Sequence, residues 1–342
     1  MTPVAIPTAA NRATTQHPLA EALVQWFERE GRDYPWRRTT DPWAILVSEI
    51  MLQQTTVATV LGRYEAWMQQ FPTPASLAAA DEETALRSWE GLGYYRRVRA
   101  LRAAALAICE RFGGNFPTEE ADIRSLPGIG DYTVGAVLSF AYNRPAPLVD
   151  ANVSRVFARL DNDRTPVDSP AGRKAHWFKA AALVHPTNPR AYNAALMELG
   201  QTLCTTGAPH CELCPIRTWC RAEHPAELPV KLPKKETLTM EHHDIFCLTE
   251  EGLLMERQAD NARHAGMYRL PRRSATEVAA LPRLCGQKYS VTRYKVTRHV
   301  YRAQVGATLR EGERFIPLRD LADTPMASPD RKLVDKLLQA GK

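Results

Sequence analysis

The sequence predicts a chain of two parts, an all-α region followed by a small α+β domain. Through about residue 203, apolar residues recur at spacings of three and four, which is the period of a helix face. Beyond about residue 240 they alternate, as in strands, and four cysteines crowd together where the helical pattern ends. We therefore expect a disordered N-terminal tail at 1–18, a helical domain at 19–203, a cysteine loop at 204–224, a linker at 225–240 and the α+β domain at 241–342.

Helices are indicated by segments such as LAEALVQWF and VRALRAAALAICERF, which are separated by short loops with Pro or Gly. We predict about ten helices and no strand in this region. The segment HPAELPVKLPKKETLT is rich in proline and lysine and is typical of a linker. After it, HDIFCLTEEGLLMERQ and KYSVTRYKVTRHVYRAQV predict strands, and DRKLVDKLLQAG predicts a C-terminal helix.

Charge and composition favour a globular protein with a modest basic excess. The formal net charge is +6 and 44% of the residues are hydrophobic. A basic excess suits nucleic acid but does not by itself indicate it. The sequence has no apolar run of about 18 residues and no pattern typical of a signal peptide, so we expect no membrane span and a cytoplasmic location, associated with the nucleoid if the protein is bacterial.

Four of the seven cysteines follow the pattern C-x6-C-x2-C-x5-C. In a reducing compartment so tight a cluster points to a metal rather than to disulfides. The spacing suits either one tetrahedral Zn²⁺ or a [4Fe–4S] cluster and does not choose between them. The candidate ligands are Cys204, Cys211, Cys214 and Cys220.

The stretch LPGIGDYTVGA predicts a tight turn running into a helix. Gly128 and Gly130 permit such a turn, with backbone N–H groups pointing outward at the positive end of the helix. This arrangement would hold a DNA phosphate without reading sequence. The alternative is an ordinary helix connection.

Two acidic residues are candidates for catalysis. Glu49 lies in the apolar segment WAILVSEIMLQQT, where burial would raise its pKa and suit it to pass a proton near neutral pH. Asp150 precedes the helical segment ANVSRVFARL. The alternatives are a solvated glutamate on a polar stripe and a simple helix N-cap, although capping and catalysis do not exclude each other.

Two short segments predict tips that enter a base stack. Gln54 ends the apolar run of the Glu49 helix, and GLGYYRRVR places Leu92 and Tyr94 on a turn beside arginines. Apolar wedges beside cations suit opening a duplex and extruding a base. The alternative is a helix cap with a solvated basic face.

Taken in order, SEIMLQQT, GLGYYRR, LPGIGDYT, VDANVSRV and the four-cysteine loop resemble the helix-hairpin-helix DNA glycosylases that carry a [4Fe–4S] cluster. Within that superfamily the chain resembles the MutY-type adenine DNA glycosylases, strongly over about residues 19–225. The resemblance implies an all-α glycosylase region with a cluster loop and a Nudix-like α+β C-terminal domain. It also implies a monomer that acts on double-stranded DNA, removing adenine mispaired with 8-oxoguanine or guanine.

The resemblance also assigns roles to individual residues. Glu49 would protonate adenine at N7, Asp150 would stabilise an oxocarbenium-like sugar, and Tyr132 and Asn152 would support them. The remaining assignments are Trp36, Arg37 and Leu52 in the adenine pocket, Gln54, Leu92 and Tyr94 in the wedge, Gly128 and Gly130 at phosphate, and Cys204, Cys211, Cys214 and Cys220 as ligands of an iron–sulfur cluster.

Two positions depart from the family pattern. Ala194 stands where the family often has Glu or Gln near the adenine. Val291, Thr292 and Arg293 stand where the family often has the Phe-Ser-His motif that reads 8-oxoguanine. Thr292 keeps a hydroxyl and Arg293 keeps a donor, so both are candidates for reading that base; the alternative is a plain edge strand.

Two other functions stay open at this point. One is an endonuclease III-like glycosylase/lyase on oxidised pyrimidines, which needs a lysine amine to form a Schiff base. The position after the hairpin, where a lysine would indicate that chemistry, is Tyr132. The other is a non-catalytic DNA-binding protein, which the pairing of Glu49 with Asp150 disfavours.

Overall fold

The structure is a computed structural model that describes residues 17–233, 236–260, 262, 264–291, 293–304 and 309–340. Of the predicted tail, residues 1–16 lie outside these ranges. The first helix begins at Pro18, capped by the His17 side chain. No helix in the described part of the chain is long and apolar enough to cross a membrane.

The described residues form two compact units that divide the chain differently from the predicted boundaries. Unit 1 contains those of 1–76 and 103–233, and unit 2 contains those of 77–102 and 234–342. Segment 77–102 joins unit 2 through long-range contacts. The Tyr95 hydroxyl donates to the carbonyl of Met326 at 3.2 Å, and Arg331 pairs with Glu90 at 3.0 Å. Helix periodicity reports which face of a segment is buried but not which distant segment covers it, so the sequence did not predict this grouping.

Helices account for the region that the apolar periodicity predicted to be helical. Among the described residues up to 233 there are eleven α-helices, close to the predicted number, and short 3₁₀ helices at Pro35–Arg37, Cys211–Leu213, Arg217–Trp219 and Pro225–Glu227. The α-helices are α1 (Pro18–Glu30), α2 (Pro42–Leu52), α3 (Val57–Gln70), α4 (Pro74–Ala79), α5 (Glu82–Ser88), α6 (Arg96–Phe112), α7 (Glu120–Arg124), α8 (Asp131–Phe140), α9 (Ala151–Leu160), α10 (Pro170–Leu183) and α11 (Pro189–Thr202).

Helix α2 is the central helix of unit 1 and is buried on every side. The Asp41 side chain caps it by accepting from the backbone N–H groups of Trp43 and Ala44, and Pro42 begins it without losing a hydrogen bond. Every residue from Trp43 to Met51 is buried. A helix that is apolar all round belongs to a core, so any polar side chain on it faces protein or a cavity.

Close backbone approaches fix the elements that carry the second acid. A Cβ added at Gly135 of α8 would overlap the carbonyl oxygen of Pro147, in the segment that leads into α9. A Cβ added at Gly200 of α11 would lie 2.6 Å from the Cβ of Asn152 in α9. Real Cβ atoms do not approach so closely, so glycine at these two positions lets α8 and α11 hold the start of α9.

Unit 2 contains two small sheets and a C-terminal helix, as the alternating pattern predicted. One sheet has the order β5-β1-β7-β6, with β1 parallel to β7; in the other, β2, β3 and β4 are neighbours and β8 pairs with β3. The first strand begins at Leu238, inside the predicted linker. The elements are β1 (Leu238–Phe246), β2 (Leu248–Thr249), β3 (Gly252–Arg257), β4 (Tyr268–Arg269), β5 (Arg272–Arg273), β6 (Arg283–Val291), β7 (Tyr294–Arg302), β8 (Glu313–Ile316) and α12 (Ser328–Ala340).

Candidate active site

A cavity of about 860 Å³ lies in unit 1, between α2, α8, the start of α9 and α11. Its volume is in the range of small-molecule sites, about 300–1,000 Å³. It gathers residues that are far apart in the chain and that the sequence analysis had assigned to the acids, their supports, the adenine pocket and the wedge. The predicted residues that line it are Trp36, Arg37, Glu49, Leu52, Gln54, Tyr132, Asp150 and Asn152.

Glu49 is a buried carboxyl group with a specific hydrogen-bond donor. Its side chain on α2 is only 4% exposed, which removes the alternative of a solvated polar stripe. The Tyr132 hydroxyl, on α8, donates to its Oε2 at 2.6 Å. Burial raises the pKa of Glu49 to about 7, against the opposing effects of the Tyr132 hydrogen bond and the charge of Arg37; the charge of Asp150 raises it further. A group with a pKa near 7 can both give and take a proton at neutral pH.

Asp150 is both an N-cap and a member of the cavity wall. Its Oδ1 accepts from the backbone N–H of Val153 at 2.7 Å, and its Oδ2 accepts from the Asn152 side-chain amide at 2.9 Å. Burial raises the pKa of Asp150, while these hydrogen bonds lower it. The carboxylate is therefore held in one orientation at the start of α9, where the helix dipole favours negative charge.

Asn152 connects Asp150 to a buried arginine. The Arg155 guanidinium donates to the Asn152 side-chain oxygen at 2.9 Å and to the carbonyl of Gly200 at 2.6 Å. It also donates to the carbonyl of Cys204 at 2.7 Å. Asn152 is thus fixed from both sides, and a continuous hydrogen-bonded chain runs from the acid to the cysteine loop.

Arg37 reaches the cavity from the 3₁₀ helix, and its partner is a residue that the sequence analysis missed. Its Nη2 pairs with Glu198 at 2.8 Å, and its guanidinium lies over the rings of Phe27 and Tyr34, at 5.0 and 4.7 Å. Glu198, on α11, is fully buried. Its acidic side chain in the apolar run ALMELG was the available signal, since a carboxylate in that setting needs a cation.

The rest of the predicted pocket wall is mainly apolar. Trp36 is 8% exposed and stacks on Tyr34, with ring centroids 5.1 Å apart. Leu52 ends α2 and Ala194 lines the cavity from α11. Ala194 has no polar atom in its side chain, so this part of the wall offers no side-chain hydrogen bond to a ligand.

The predicted hairpin is a turn between α7 and α8. Gly128 has a φ of +75°, which favours glycine, whereas Gly130 has a φ of −105° and does not need glycine's freedom. Gly130 precedes α8, and no side chain caps that helix in the described structure. The first N–H groups of α8 are therefore available to an anion.

The predicted wedge residues fall into two classes. Gln54 and Tyr94 are exposed and both have left-handed backbones, with φ of 57° and 48°. Such outliers in residues other than glycine are uncommon and concentrate at functional sites. Leu92, by contrast, is 4% exposed. The prediction that Leu92 is an exposed wedge does not fit this placement, because packing inside unit 2 removes its apolar side chain from water.

The four cysteines lie together, although no group of three or more His, Cys, Asp or Glu side chains in the described residues is already arranged to hold a metal ion. Burial raises the pKa of Cys214 to about 11, and the charges of the other three thiols raise it further, as expected of close neighbours. Arg159, which is 2% exposed, donates to the Cys204 sulfur at 3.3 Å. Its Nη2 has no partner within the described part of the chain.

In unit 2, the stretch that departs from the family pattern is the turn of the β6–β7 hairpin. Val291 ends β6 and Tyr294 begins β7, so Arg293 lies in the turn, while Thr292 lies outside the described residues. Arg293 is exposed, and its guanidinium lies 5.4 Å from the centre of the Tyr294 ring.

None of the described residues that line the unit 1 cavity is a lysine. Its cation-bearing side chains are Arg37 and Arg190. A guanidinium stays protonated and does not form a Schiff base under ordinary conditions. This composition bears directly on the lyase alternative.

Comparison with known proteins identifies relatives of the helical region. Residues 47–178 match the HhH-GPD superfamily of base excision DNA repair proteins. The chain is 41% identical over 215 residues to the human adenine DNA glycosylase, a match that covers 60% of this chain and 39% of that protein. It is 41% identical over 207 residues to the adenine DNA glycosylase of Mycolicibacterium smegmatis, covering 60% and 70%. For the enzyme of that name in Mycobacterium tuberculosis, the identity is 41% over 203 residues and the coverage 59% and 66%. The chain thus spans less than half of the human relative and about two thirds of the mycobacterial ones.

Solved structures agree with the fold of this region. A thermostable thymine-DNA glycosylase superposes with a TM-score of 0.54 at 28% identity, over 60% of this chain and 94% of that one. An endonuclease III trapped as a covalent intermediate with DNA superposes with a TM-score of 0.50 at 22% identity, over 61% and 97%. At that identity the second likeness supports the fold alone.

Proposed function

The chain belongs to the adenine DNA glycosylases of the HhH-GPD superfamily of base excision DNA repair proteins, and from that membership we propose that it removes adenine mispaired with 8-oxoguanine or guanine from double-stranded DNA. The observation that carries the proposal is the buried Glu49 carboxyl group, with a pKa of about 7 and a 2.6 Å hydrogen bond from Tyr132, in a cavity large enough for a base. A base in duplex DNA must leave the stack to reach such a cavity.

Glu49 is the proton donor in this proposal. Adenine is a poor leaving group as an anion, so a proton on the ring, at N7, must accompany cleavage of the bond between the sugar C1′ and the base. The electron pair of that bond goes to the protonated base, and Glu49 becomes a carboxylate. It can then take a proton from the water that adds to C1′, which restores the acid.

Asp150 is the group that stabilises the sugar. As the base departs, C1′ becomes electron-poor, and a fixed carboxylate nearby lowers the barrier without having to reorganise. Asn152 holds one oxygen of Asp150 and the backbone of Val153 holds the other, which supports this positioning role. Arg37, oriented by Glu198, is a donor for the acceptor nitrogens of the base.

The reaction ends at base removal in this proposal. A lyase would need an amine to attack C1′, but Tyr132 occupies the position after the hairpin and no lysine lines the described cavity. The enzyme is therefore a monofunctional glycosylase that leaves an abasic site with both strands intact.

We assign DNA contacts to the exposed tips and to the hairpin. Gln54 and Tyr94 would hold the opened duplex, and Gly128 and the uncapped start of α8 would bind a backbone phosphate. In unit 2 we assign the reading of 8-oxoguanine to Thr292 and Arg293, in a Nudix-like domain. The cytoplasmic location and the monomeric state stay predictions.

The cysteine loop fits a [4Fe–4S] cluster. Four thiols lie close together, and the buried Arg159 guanidinium beside them keeps one unpaired nitrogen among the described residues, which suits a centre with negatively charged thiolates. When bound, the cluster would cross-link the loop that follows α11. Two iron-to-sulfide measurements, iron content and acid-labile sulfide per chain, test this assignment; one zinc ion per chain without iron would refute it.

A duplex with one adenine opposite 8-oxoguanine tests the function. We expect free adenine to be released and strand cleavage to appear only after alkali or heat. Borohydride should trap no covalent complex, because no Schiff base forms. Strand cleavage without alkali, together with borohydride trapping, would identify a lyase; tight binding without adenine release would identify a non-catalytic binder.

A further inference from the structure

A second cavity, of about 410 Å³, lies within unit 2 and shares no lining residue with the active-site cavity. It is formed by β1, β6, β7, the segment after β3 and the start of α12. Its volume is within the range of about 300–1,000 Å³ that is typical of small-molecule sites. The proposed reaction uses none of its residues, so its chemistry calls for a separate explanation.

Buried hydrogen-bond donors on its wall have no partner. Gln258 is 8% exposed and Arg298 is 2% exposed, yet the Nε2 of Gln258 and the Nη1 of Arg298 make no hydrogen bond within the described part of the protein. The backbone of Gln258 is fixed by hydrogen bonds to Met267 and Gly266, which hold the amide at the wall. Leaving a buried donor unpaired costs about 1–3 kcal/mol, so these groups indicate acceptor atoms inside the cavity.

The charges around the cavity are balanced before any ligand enters. Arg298 pairs with Asp330 at 2.7 Å and with Asp244 at 3.1 Å, and Asp244 also pairs with Arg272 at 3.2 Å. Arg269 pairs with a further carboxylate, Glu256, at 2.9 Å. Three arginines therefore face three carboxylates, so a charged ligand would disturb the balance and a neutral one would not.

The remaining wall is flat-sided and largely uncharged. Tyr289 and Tyr294 line it, and the Tyr289 hydroxyl accepts a hydrogen bond from Arg298 at 3.1 Å, which leaves its own proton to donate. His242 also lines it; burial and the neighbouring arginines lower the pKa of His242 to about 4, so the ring is neutral at pH 7. Aromatic and apolar walls favour a planar ring.

We propose that this cavity binds a neutral, planar heterocycle whose edge carries carbonyl acceptors. The unpaired amide of Gln258 and guanidinium nitrogen of Arg298 would donate to the carbonyl oxygens. Pyrimidine and purine bases with carbonyl groups have this chemistry, and they can come from free bases and nucleosides or from a nucleic acid strand.

Calorimetric titration of the full chain tests the proposal with uracil and hypoxanthine as probes. We expect both to bind, and the variant Gln258→Leu to bind them about tenfold more weakly, because a lost hydrogen bond of about 1.4 kcal/mol is a factor of ten. Gln287→Leu is the matched control, since Gln287 is in the same sheet but does not line the cavity. Indole, which is planar without a carbonyl, and inorganic phosphate, which is an anion, should not bind there.

A second measurement needs no variant. Crystals of the wild-type protein soaked in 5-bromouracil should show anomalous bromine signal in this cavity. Competition then separates the two sources: displacement by an oligothymidylate identifies a base of nucleic acid, and displacement by uridine alone identifies a free nucleoside. Equal binding by all three proteins, binding of phosphate instead of uracil, or bromine signal only in the unit 1 cavity would overturn the proposal.

Discussion

The burial of Glu49 predicts that the catalytic acid destabilises the fold at alkaline pH. The pKa of Glu49 is about 7 in the folded protein against an ordinary value of 4.5, chiefly because burial disfavours the charged form. A raised folded-state pKa contributes stability that is complete below pH 4.5 and is lost as the pH rises through 7. Since each pKa unit is worth about 1.4 kcal/mol, the loss amounts to about 3 kcal/mol.

The variant Glu49→Gln removes this titration while keeping nearly the same shape. Relative to wild type, it should gain about 3 kcal/mol of stability between pH 4.5 and pH 8, with little difference at the acid end. In a unit of this size each kcal/mol moves the melting temperature by about 2–4 °C, so the relative shift should be roughly 6–12 °C.

Scanning calorimetry of both proteins at a series of pH values measures the effect. Comparing the two proteins at each pH cancels the titration of every other group. Glu65→Gln is the matched control, because Glu65 is exposed on α3 and its replacement should give a pH-independent difference. A Glu49→Gln difference that is constant from pH 4.5 to pH 8, or that reverses, would refute the reasoning.

Two further predictions follow from contacts in the site. Tyr132→Phe removes the hydrogen bond that lowers the pKa of Glu49, so the alkaline limb of the single-turnover pH profile should move to higher pH; a move to lower pH would contradict this role. Gly200→Ala places a Cβ 2.6 Å from that of Asn152 and should slow adenine release and cost about 1–3 kcal/mol in a denaturant melt, whereas Gly62→Ala, with open space around it, should be neutral or stabilising; equal effects would show that the close approach does not matter.

Local patterns in the sequence predicted much of the helical region and the nature of the two acids. The apolar residues around Glu49 predicted burial, and α2 is buried throughout, because a helix without a polar face has no side to turn to water. Asp150 was placed at a helix start, and it caps α9 while facing the cavity, so both interpretations of that residue hold. These features depend on neighbours in sequence.

Features that depend on distant partners were out of reach. Glu198 was overlooked because its partner, Arg37, is 161 residues away in the chain. The same limit explains why segment 77–102 was assigned to the wrong side of a boundary and why Leu92 was expected to be exposed. A turn flanked by arginines looks solvated in sequence, and only the packing of unit 2 shows that one of its apolar residues is covered.

The most direct test of the account compares adenine release by wild type and by Glu49→Gln under single-turnover conditions, on a duplex with adenine opposite 8-oxoguanine. Binding of the same duplex is measured in parallel. If Glu49 supplies the proton, the variant should bind the duplex normally and release no measurable adenine. Release at the wild-type rate by Glu49→Gln would contradict the assignment of the catalytic acid and, with it, the proposed mechanism.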